Sequence, residues 1–233
     1  MSDTITTERR EAVTIVRLDD GKANAVSHDL VSGLTRILDD IEKEGGAIAL
    51  LGRPGRFSAG FDLAEIARGP EAARALVGAG AELLVRMLQS PAPIVAGCTG
   101  HALAMGALLL LASDLRVGAS GSFKIGLNEV AIRMVLPRFA VRLARDRLSK
   151  RHLLRSANHA EIYDPEGARD AGYLDHVVAA DAVEARTLEE AARLAALPRG
   201  AFAGTKQLLR GGLAAEIAAN LSDERSEWAV GGS

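Results

Sequence analysis

The sequence predicts an α/β fold with largely parallel strand pairing. Three observations predict it: short apolar, β-branched runs alternate with stretches of helical spacing; parallel neighbours need such crossover helices; and glycine, proline or aspartate punctuates nearly every transition. The chain has 233 residues, 48% of them hydrophobic and 25% charged. That is enough to bury a substantial core as one domain with a small helical appendage, and it does not read as disorder.

The elements follow in order. Val13-Thr14-Ile15-Val16-Arg17-Leu18 is rich in β-branched residues and runs into Asp19-Asp20-Gly21, a strand closed by a turn. Ser27 is placed to cap an amphipathic helix with Asp29 in its first turn; it continues to Glu44 and stops at Gly45-Gly46. Residues 47–51 form a short apolar strand. A turn-rich stretch, Gly52-Arg53-Pro54-Gly55, leads through Phe57-Ser58-Ala59-Gly60 into a short helix from about Asp62, broken by Gly69-Pro70. Residues 71–89 have helical spacing. A strand over 94–97 is followed by a glycine-containing loop and a buried helix over 104–112, then by strands near 115–117 and 122–125. Beyond Pro137 the chain is mostly helical. Asp164-Pro165 opens a helix that Gly172 closes, residues 174–178 make one more strand, and three helices lead to the C-terminus.

Composition narrows the function classes. Twenty-eight basic against thirty acidic residues leave a net charge of −2, without a basic stripe interleaved with aromatics, so no nucleic-acid partner is expected. The apolar run over 102–112 is too short to span a bilayer, and the start, MSDTITTERR, has no apolar signal core; no membrane association is expected. The single cysteine, Cys98, permits no intramolecular disulfide and fits a reducing cytoplasm. His28, His152, His159 and His176 are scattered without ligand spacing, so no metal is assigned.

Two segments carry the chemistry. Gly55-Arg56-Phe57-Ser58-Ala59-Gly60-Phe61-Asp62-Leu63 follows a strand and opens a helix, so backbone N–H groups near Phe61 should point outward, unpaired, where negative charge is favoured. An ordinary strand-to-helix turn would read the same way. A second strand leads through Gly100-His101-Ala102-Leu103-Ala104-Met105-Gly106 into the buried helix. Two such N-termini converging on one point would make an oxyanion hole for a thioester enolate.

Here the chain resembles the crotonase, or enoyl-CoA hydratase/isomerase, family. Its first signature, F-S-A-G-x-D-L, is matched by residues 57–63, and its second, N-G-x-A-x-G-G-G, by the segment around Met105. Asn24-Ala25-Val26 is similar to the family's N-A-L, Pro93-Ile94-Val95-Ala96 to P-V-I-A, Ala112-Ser113-Asp114-Leu115 to A-C-D-I, and Gly126-Leu127-Asn128-Glu129-Val130 to G-L-P-E-V. The resemblance implies a spiral of β-β-α units over residues 1–195 and a helical C-terminal trimerisation region over 196–233. It also implies an acyl-CoA substrate, coenzyme A being part of that substrate rather than a cofactor, and a homotrimer or hexamer. The apolar positions Leu208, Leu209, Leu213, Ile217, Leu221 and Trp228 would suit the subunit interface.

By resemblance, the oxyanion N–H groups map onto Phe61 and Met105, and the acid/base onto Glu129. Binding of the thioester and CoA maps onto Lys22, Ala23, Ala59, Phe61, Asp62, Leu63, Met105, Leu108 and Arg133. Hydratases of the family use two glutamates; the earlier of the two falls on Leu108, which cannot orient water. One carboxylate suffices to move a proton between carbons, so the pattern resembles the 3-enoyl to 2-enoyl-CoA isomerases of fatty acid β-oxidation. A hydratase (a lyase) and a catalytically impaired thioester-binding protein are the alternatives. By residue type alone Glu129 could be a solvated loop carboxylate. Packed against Leu108, Phe61 and Met105, it would instead have its pKa raised by desolvation. Ala104-Met105 replaces a Gly-Gly pair, which would put side chains where the family leaves room for the thioester. Arg133 stands where glycine normally follows and is either a surface or interface arginine or a carboxylate-binding group in the acyl pocket.

Other chemistries fit less well. Arg56-Phe57-Ser58-Ala59-Gly60 lacks the first glycine of a nucleophile elbow, Cys98 follows a buried strand, and Gly78-Ala79-Gly80 lacks the third glycine of a dinucleotide fingerprint. Lys22 is either a turn lysine or part of the CoA site. Arg53 and Arg56 are read as exposed loop arginines.

Overall fold

The computed structural model describes residues 4–227, with side chains over 4–221. In chain order the elements are β1 (Ile5–Arg10), β2 (Val13–Leu18), α1 (His28–Glu44), β3 (Ala47–Leu51), β4 (Gly55–Ser58), α2 (Leu63–Ile66), α3 (Pro70–Gln89), β5 (Ile94–Cys98), β6 (Gly100–Leu103), α4 (Met105–Ala112), β7 (Leu115–Ala119), β8 (Ile125–Gly126), α5 (Arg138–Arg147), α6 (Lys150–Ala157), α7 (Pro165–Ala171), β9 (His176–Val178), α8 (Val183–Ala195) and α9 (Arg199–Glu227). Single 3-10 turns sit at Val130–Ile132 and Ala180–Ala182.

Two sheets organise the chain. The larger has strand order β1-β2-β3-β5-β7-β9 and the smaller β4-β6-β8. Among the described strands only β1 and β2 pair antiparallel; every other strand pairing is parallel. From β3 onward the chain repeats one move: a strand in the large sheet, a strand in the small sheet, then helix. That is the expected spiral of β-β-α units.

Local chemistry accounts for most boundaries. Ser27 accepts the Leu30 N–H and starts α1, and Gly45, at φ 77°, ends it. Asp62 accepts the N–H groups of Ala64 and Glu65 and starts α2. Asp164 accepts the Gly167 N–H ahead of Pro165, and Gly172, at φ 106°, closes α7. All eight residues of α4 are buried, which explains why its sequence is apolar all round rather than on one stripe.

The structure corrects several expectations. The turn-rich stretch over 52–55 runs straight into β4, which takes in Phe57 and Ser58, and the glycine-containing loop after β5 contains β6. The strand expected near 122–125 shrinks to β8. β1 went unanticipated because only Ile5 of its six residues is buried, so the strand carries no apolar alternation. The three C-terminal helices are two, α8 and α9, after the Ala180–Ala182 turn.

α9 packs on α3 and α5 of its own chain. Ile217 is fully buried there, and Leu213 and Leu221 pack at the edge of the same core, so these three do not form a free apolar face. Leu208 and Leu209 are exposed; Trp228 lies outside the described residues. On its inner face α9 also carries charge. Lys206 Nζ donates to Asp114 Oδ2 at 2.7 Å, and the same oxygen accepts the Ile94 N–H at 2.8 Å. Arg210 donates to the carbonyls of Leu111 (2.9 Å) and Ala112 (3.3 Å) at the end of α4, and to Asp146. Arg116 grips Asp175 through Nε and Nη2.

Lys206 is buried, and removing one member of a buried pair strands the other. Lys206→Met is expected to lower the unfolding free energy by about 3 kcal/mol, read from the urea midpoint, with Lys206→Met/Asp114→Asn recovering part of the loss.

Candidate active site

The small sheet places the site. Parallel pairing aligns the C-terminal ends of β4, β6 and β8, and beyond each end lies one candidate group: Phe61 after β4, Met105 after β6 and Glu129 after β8. Open parallel sheets commonly bind ligands beyond such carboxyl ends.

The first loop is held by Asn24, fully buried at φ 52°. Its Nδ2 donates to the carbonyls of Leu18 (2.9 Å), Arg56 (3.2 Å) and Phe57 (3.2 Å), and its Oδ1 accepts the Asp20 N–H. Ser58 Oγ donates to the Asn24 carbonyl at 2.7 Å. Residues 23–26 then run alongside 59–62: Ala59 N–H donates to Ala23, Val26 N–H to Gly60, and Asp62 N–H to Val26. In that parallel register the Phe61 N–H faces the other way. It donates to no protein group among the described residues.

The second loop leaves β6 through Ala104, at φ 50° and ψ −121°, whose N–H donates to Gly126 of β8 at 3.0 Å. Met105 then opens α4, and its N–H, in the first turn, likewise donates to no protein group among the described residues. Glycine lets the two loops touch. A Cβ on Gly60 would lie 2.9 Å from Ala104 Cβ and 3.4 Å from Met105 N, and one on Gly106 would run into the Ser58 carbonyl. The two free N–H groups therefore belong to backbones in contact, the arrangement a carbonyl oxygen gaining negative charge would need.

The side chains at these positions go elsewhere. Met105 is fully buried, and a Cβ on Gly80 of α3 would meet both its Cε and the Phe61 ring. The replacement of Gly-Gly by Ala104-Met105 thus does not put the Met105 side chain in the thioester's place: it turns into the core, and Ala104 Cβ packs over Gly60. The strain sits in the backbone of Ala104, in a region L-residues rarely adopt.

Glu129 is 7% exposed, and its Oε2 has no hydrogen-bond partner among the described residues. Burial pushes its pKa up from 4.5 to about 7, with a hydrogen bond from its own backbone acting weakly against this. It is no solvated loop carboxylate. Its carbonyl accepts the N–H groups of Ile132 (3.0 Å) and Met134 (2.9 Å), which fixes the segment after β8.

The remaining candidates divide. Leu108 is buried in α4. Ala23 is half-buried and hydrogen-bonded to the exposed Ala59; Lys22 is exposed, its carbonyl accepting from Arg53. Asp62 is committed to capping α2, and Leu63 is 67% exposed. Arg133 is exposed, in a left-handed cap at φ 65°, the conformation that makes glycine usual there. Cys98 is buried, donates to the Gly100 carbonyl, and has its thiol pushed up to about 12 by burial, so it is no nucleophile.

Sequence reasoning missed the organising work of Asp20 and Asn24 and the room that Gly80 gives Phe61. The first had a signal: Asp20 takes the N–H groups of Lys22, Asn24 and Ala25, the pattern of an aspartate-led turn in Asp19-Asp20-Gly21-Lys22. The second, a contact between distant segments, had none. Among the described residues no group of three or more His, Cys, Asp or Glu could hold a metal, and no helix is long and apolar enough to cross a membrane.

Comparisons with known proteins place this geometry. A family model described as enoyl-CoA hydratase/isomerase matches residues 8–227. The chain is 28% identical to human mitochondrial enoyl-CoA delta isomerase 1 over 210 residues, covering 88% of this chain and 70% of that protein. It is 33% identical to a probable enoyl-CoA hydratase of Bacillus subtilis over 132 residues, 55% of this chain and 50% of that one. Among solved structures, an enoyl-CoA hydratase/isomerase family protein from Pseudomonas syringae superposes with a TM-score of 0.95 at 40% identity, over 98% of this chain and 99% of that one.

Two outcomes follow from this geometry. Gly60→Ala is expected to abolish turnover of any thioester substrate while Ala104→Gly raises the melting temperature by a few degrees, corresponding to about 1 kcal/mol of relieved strain. Because Glu129 binds its proton more tightly folded than unfolded, stability declines as pH rises from about 4.5 through about 7. Glu129→Gln should therefore be more stable than wild type at pH 8 by on the order of 3 kcal/mol, the gap vanishing near pH 4, as read from denaturation curves at both pH values.

Proposed function

This chain belongs to the enoyl-CoA hydratase/isomerase family, and within it we propose that it is an isomerase shifting the double bond of a 3-enoyl-CoA to the 2-position. The observation that carries the reading is the pairing of a single desolvated carboxylate, Glu129, with the buried Leu108 where a hydratase places its second glutamate. Asp62, the acidic residue of the first loop, is occupied in capping α2 and so does not supply the missing carboxylate.

The reaction is balanced with one acid/base. The thioester oxygen accepts the N–H groups of Phe61 and Met105, so charge arriving on it meets donors already oriented and without competing partners. The Glu129 carboxylate takes a proton from C2; the electron pair moves into the C2–C1 bond, giving a dienolate. Glu129, now a carboxylic acid, returns that proton to C4 as the enolate collapses and the double bond settles between C2 and C3. A pKa near 7 suits both halves, since neither protonation state is strongly favoured at neutral pH. The degradation of unsaturated fatty acyl chains in a cytoplasm is the setting we infer, and a trimer or a dimer of trimers the assembly.

The test is incubation with 2-enoyl- and 3-enoyl-CoA in heavy-oxygen water, with products followed by mass spectrometry. Expected are a double-bond shift without oxygen uptake and a kcat lower by about 10²–10⁴-fold in Glu129→Gln. Oxygen incorporation would make the protein a hydratase, and binding without turnover a thioester-binding protein. In the isomerase, kcat/KM should climb as pH rises through about 7, because the free enzyme must hold Glu129 as the carboxylate.

A further inference from the structure

Gly80 stands in the interior of α3, a 20-residue helix, between Ala79 and Ala81. Glycine is disfavoured there relative to alanine because it gives up more backbone freedom, so the position is explained by what a side chain would meet. A Cβ on Gly80 would lie 2.6 Å from both Cε1 and Cζ of Phe61 and 3.3 Å from Cε of Met105. The ring of one donor residue and the thioether end of the other are therefore seated together on one bare spot of helix backbone. α3 gives them a firm base, since it packs on α1, α4 and α9.

Each of the two residues carries its N–H on a peptide that is gripped at its carbonyl. The Gly60 carbonyl, which shares a peptide with the Phe61 N–H, accepts the Val26 N–H at 2.8 Å. In a trans peptide the N–H then points away from Val26, and what remains to be fixed is the Phe61 Cα. The ring, lying against Gly80, fixes it from the side of α3. The Ala104 carbonyl, which shares a peptide with the Met105 N–H, accepts the Leu108 N–H at 3.1 Å, and the Met105 side chain ends on the same glycine. An unbranched thioether adapts to such a narrow space, which is how a methionine is accommodated at this donor.

We propose that Gly80 is a positioning residue for the two oxyanion donors: its missing side chain leaves the seat on α3 where the Phe61 ring and the Met105 thioether pack together, and that seat sets the separation and aim of the two N–H groups. An added Cβ would push the ring from 2.6 Å to the 3.4 Å at which ordinary contact begins, and misplacing a reacting partner by about 1 Å costs up to about 10²-fold in rate.

The inference rests on reading these N–H groups as donors to a thioester oxygen, and its test has a readout that needs no turnover. A saturated acyl-CoA with an isotope-labelled carbonyl is bound to the protein, and its carbonyl stretch is followed by difference infrared spectroscopy. Two donated hydrogen bonds lower the frequency in wild type relative to the thioester in buffer. In Gly80→Ala the downshift should shrink, and kcat for a 3-enoyl-CoA should fall by about 10- to 100-fold with KM changed by less than about threefold. Gly80→Ala/Phe61→Leu should recover most of both losses, because leucine keeps the N–H and vacates the space the new Cβ needs. Gly33→Ala is the control: its Cβ would lie 2.5 Å from Ile5 Cδ1, outside the site, and it should lower the melting temperature while band and kcat stay unchanged. A folded Gly80→Ala with the wild-type band and kcat overturns the proposal. Should that variant not fold, Met105→Ala keeps the N–H and removes its contact at Gly80, and an unmoved band there overturns the proposal as well. If Gly80→Ala loses the downshift but wild type moves no double bond, the positioning stands and the isomerase reading falls.

Discussion

The site depends on one close approach, that of the backbone after β4 to the backbone that opens α4. A Cβ on Gly106 would run into the Ser58 carbonyl at 2.4 Å, and one on Gly60, at a positive φ of 98°, would press on Ala104 Cβ at 2.9 Å and the Leu103 carbonyl at 3.1 Å. The contact is made at the ends of two paired strands, so the sheet itself sets the spacing of the Phe61 and Met105 N–H groups. A hydrogen-bond donor fixed in this way needs no reorganisation when charge develops on its partner, and such groups act most strongly where water is excluded. Asn24 closes the arrangement from behind. Its three donated bonds tie the end of β2 to β4 and consume the carbonyls that would otherwise compete for nearby N–H groups.

α4 links this contact to the rest of the molecule. Its N-terminal turn leaves N–H groups free toward the site, while the carbonyls at its other end are met by Arg210. Partial positive charge therefore faces the candidate site, and cations cover the partial negative end. Because the helix is enclosed on all sides, these polar ends could not be left to solvent. The charged inner face of α9, with Lys206 on Asp114 and Arg210 on α4, is the physical consequence of burying a helix in the middle of the fold.

Glu129 runs against that logic. Every other buried ion described at this core has an oppositely charged or carbonyl partner; the carboxylate at the site has none, and burial alone drives its pKa toward neutrality. An unpaired buried acid costs stability and gains proton affinity, the combination by which a candidate functional position is recognised.

Much of this was determined by the sequence itself. The strand at 13–18, the helix capped by Ser27 and ended by Gly45, the cap at Asp164 and the stop at Gly172 follow from local chemistry, which acts over a few residues and leaves a local signature. The ordered motifs around Phe61, Met105 and Glu129 likewise identified the family, and the replacement of a glutamate by Leu108 was legible as a missing carboxylate. Only the tertiary structure decided the rest. The small sheet is built from strands of four, four and two residues, too short and too rich in glycine to show a period, so it exists because its neighbours exist. The inward turn of Met105 against Gly80, the outward cap of Arg133, the burial of Ile217 within its own chain and the isolation of the Glu129 carboxylate are all set by segments distant in sequence. Desolvation and close packing are properties of the assembled core, and no residue carries them alone.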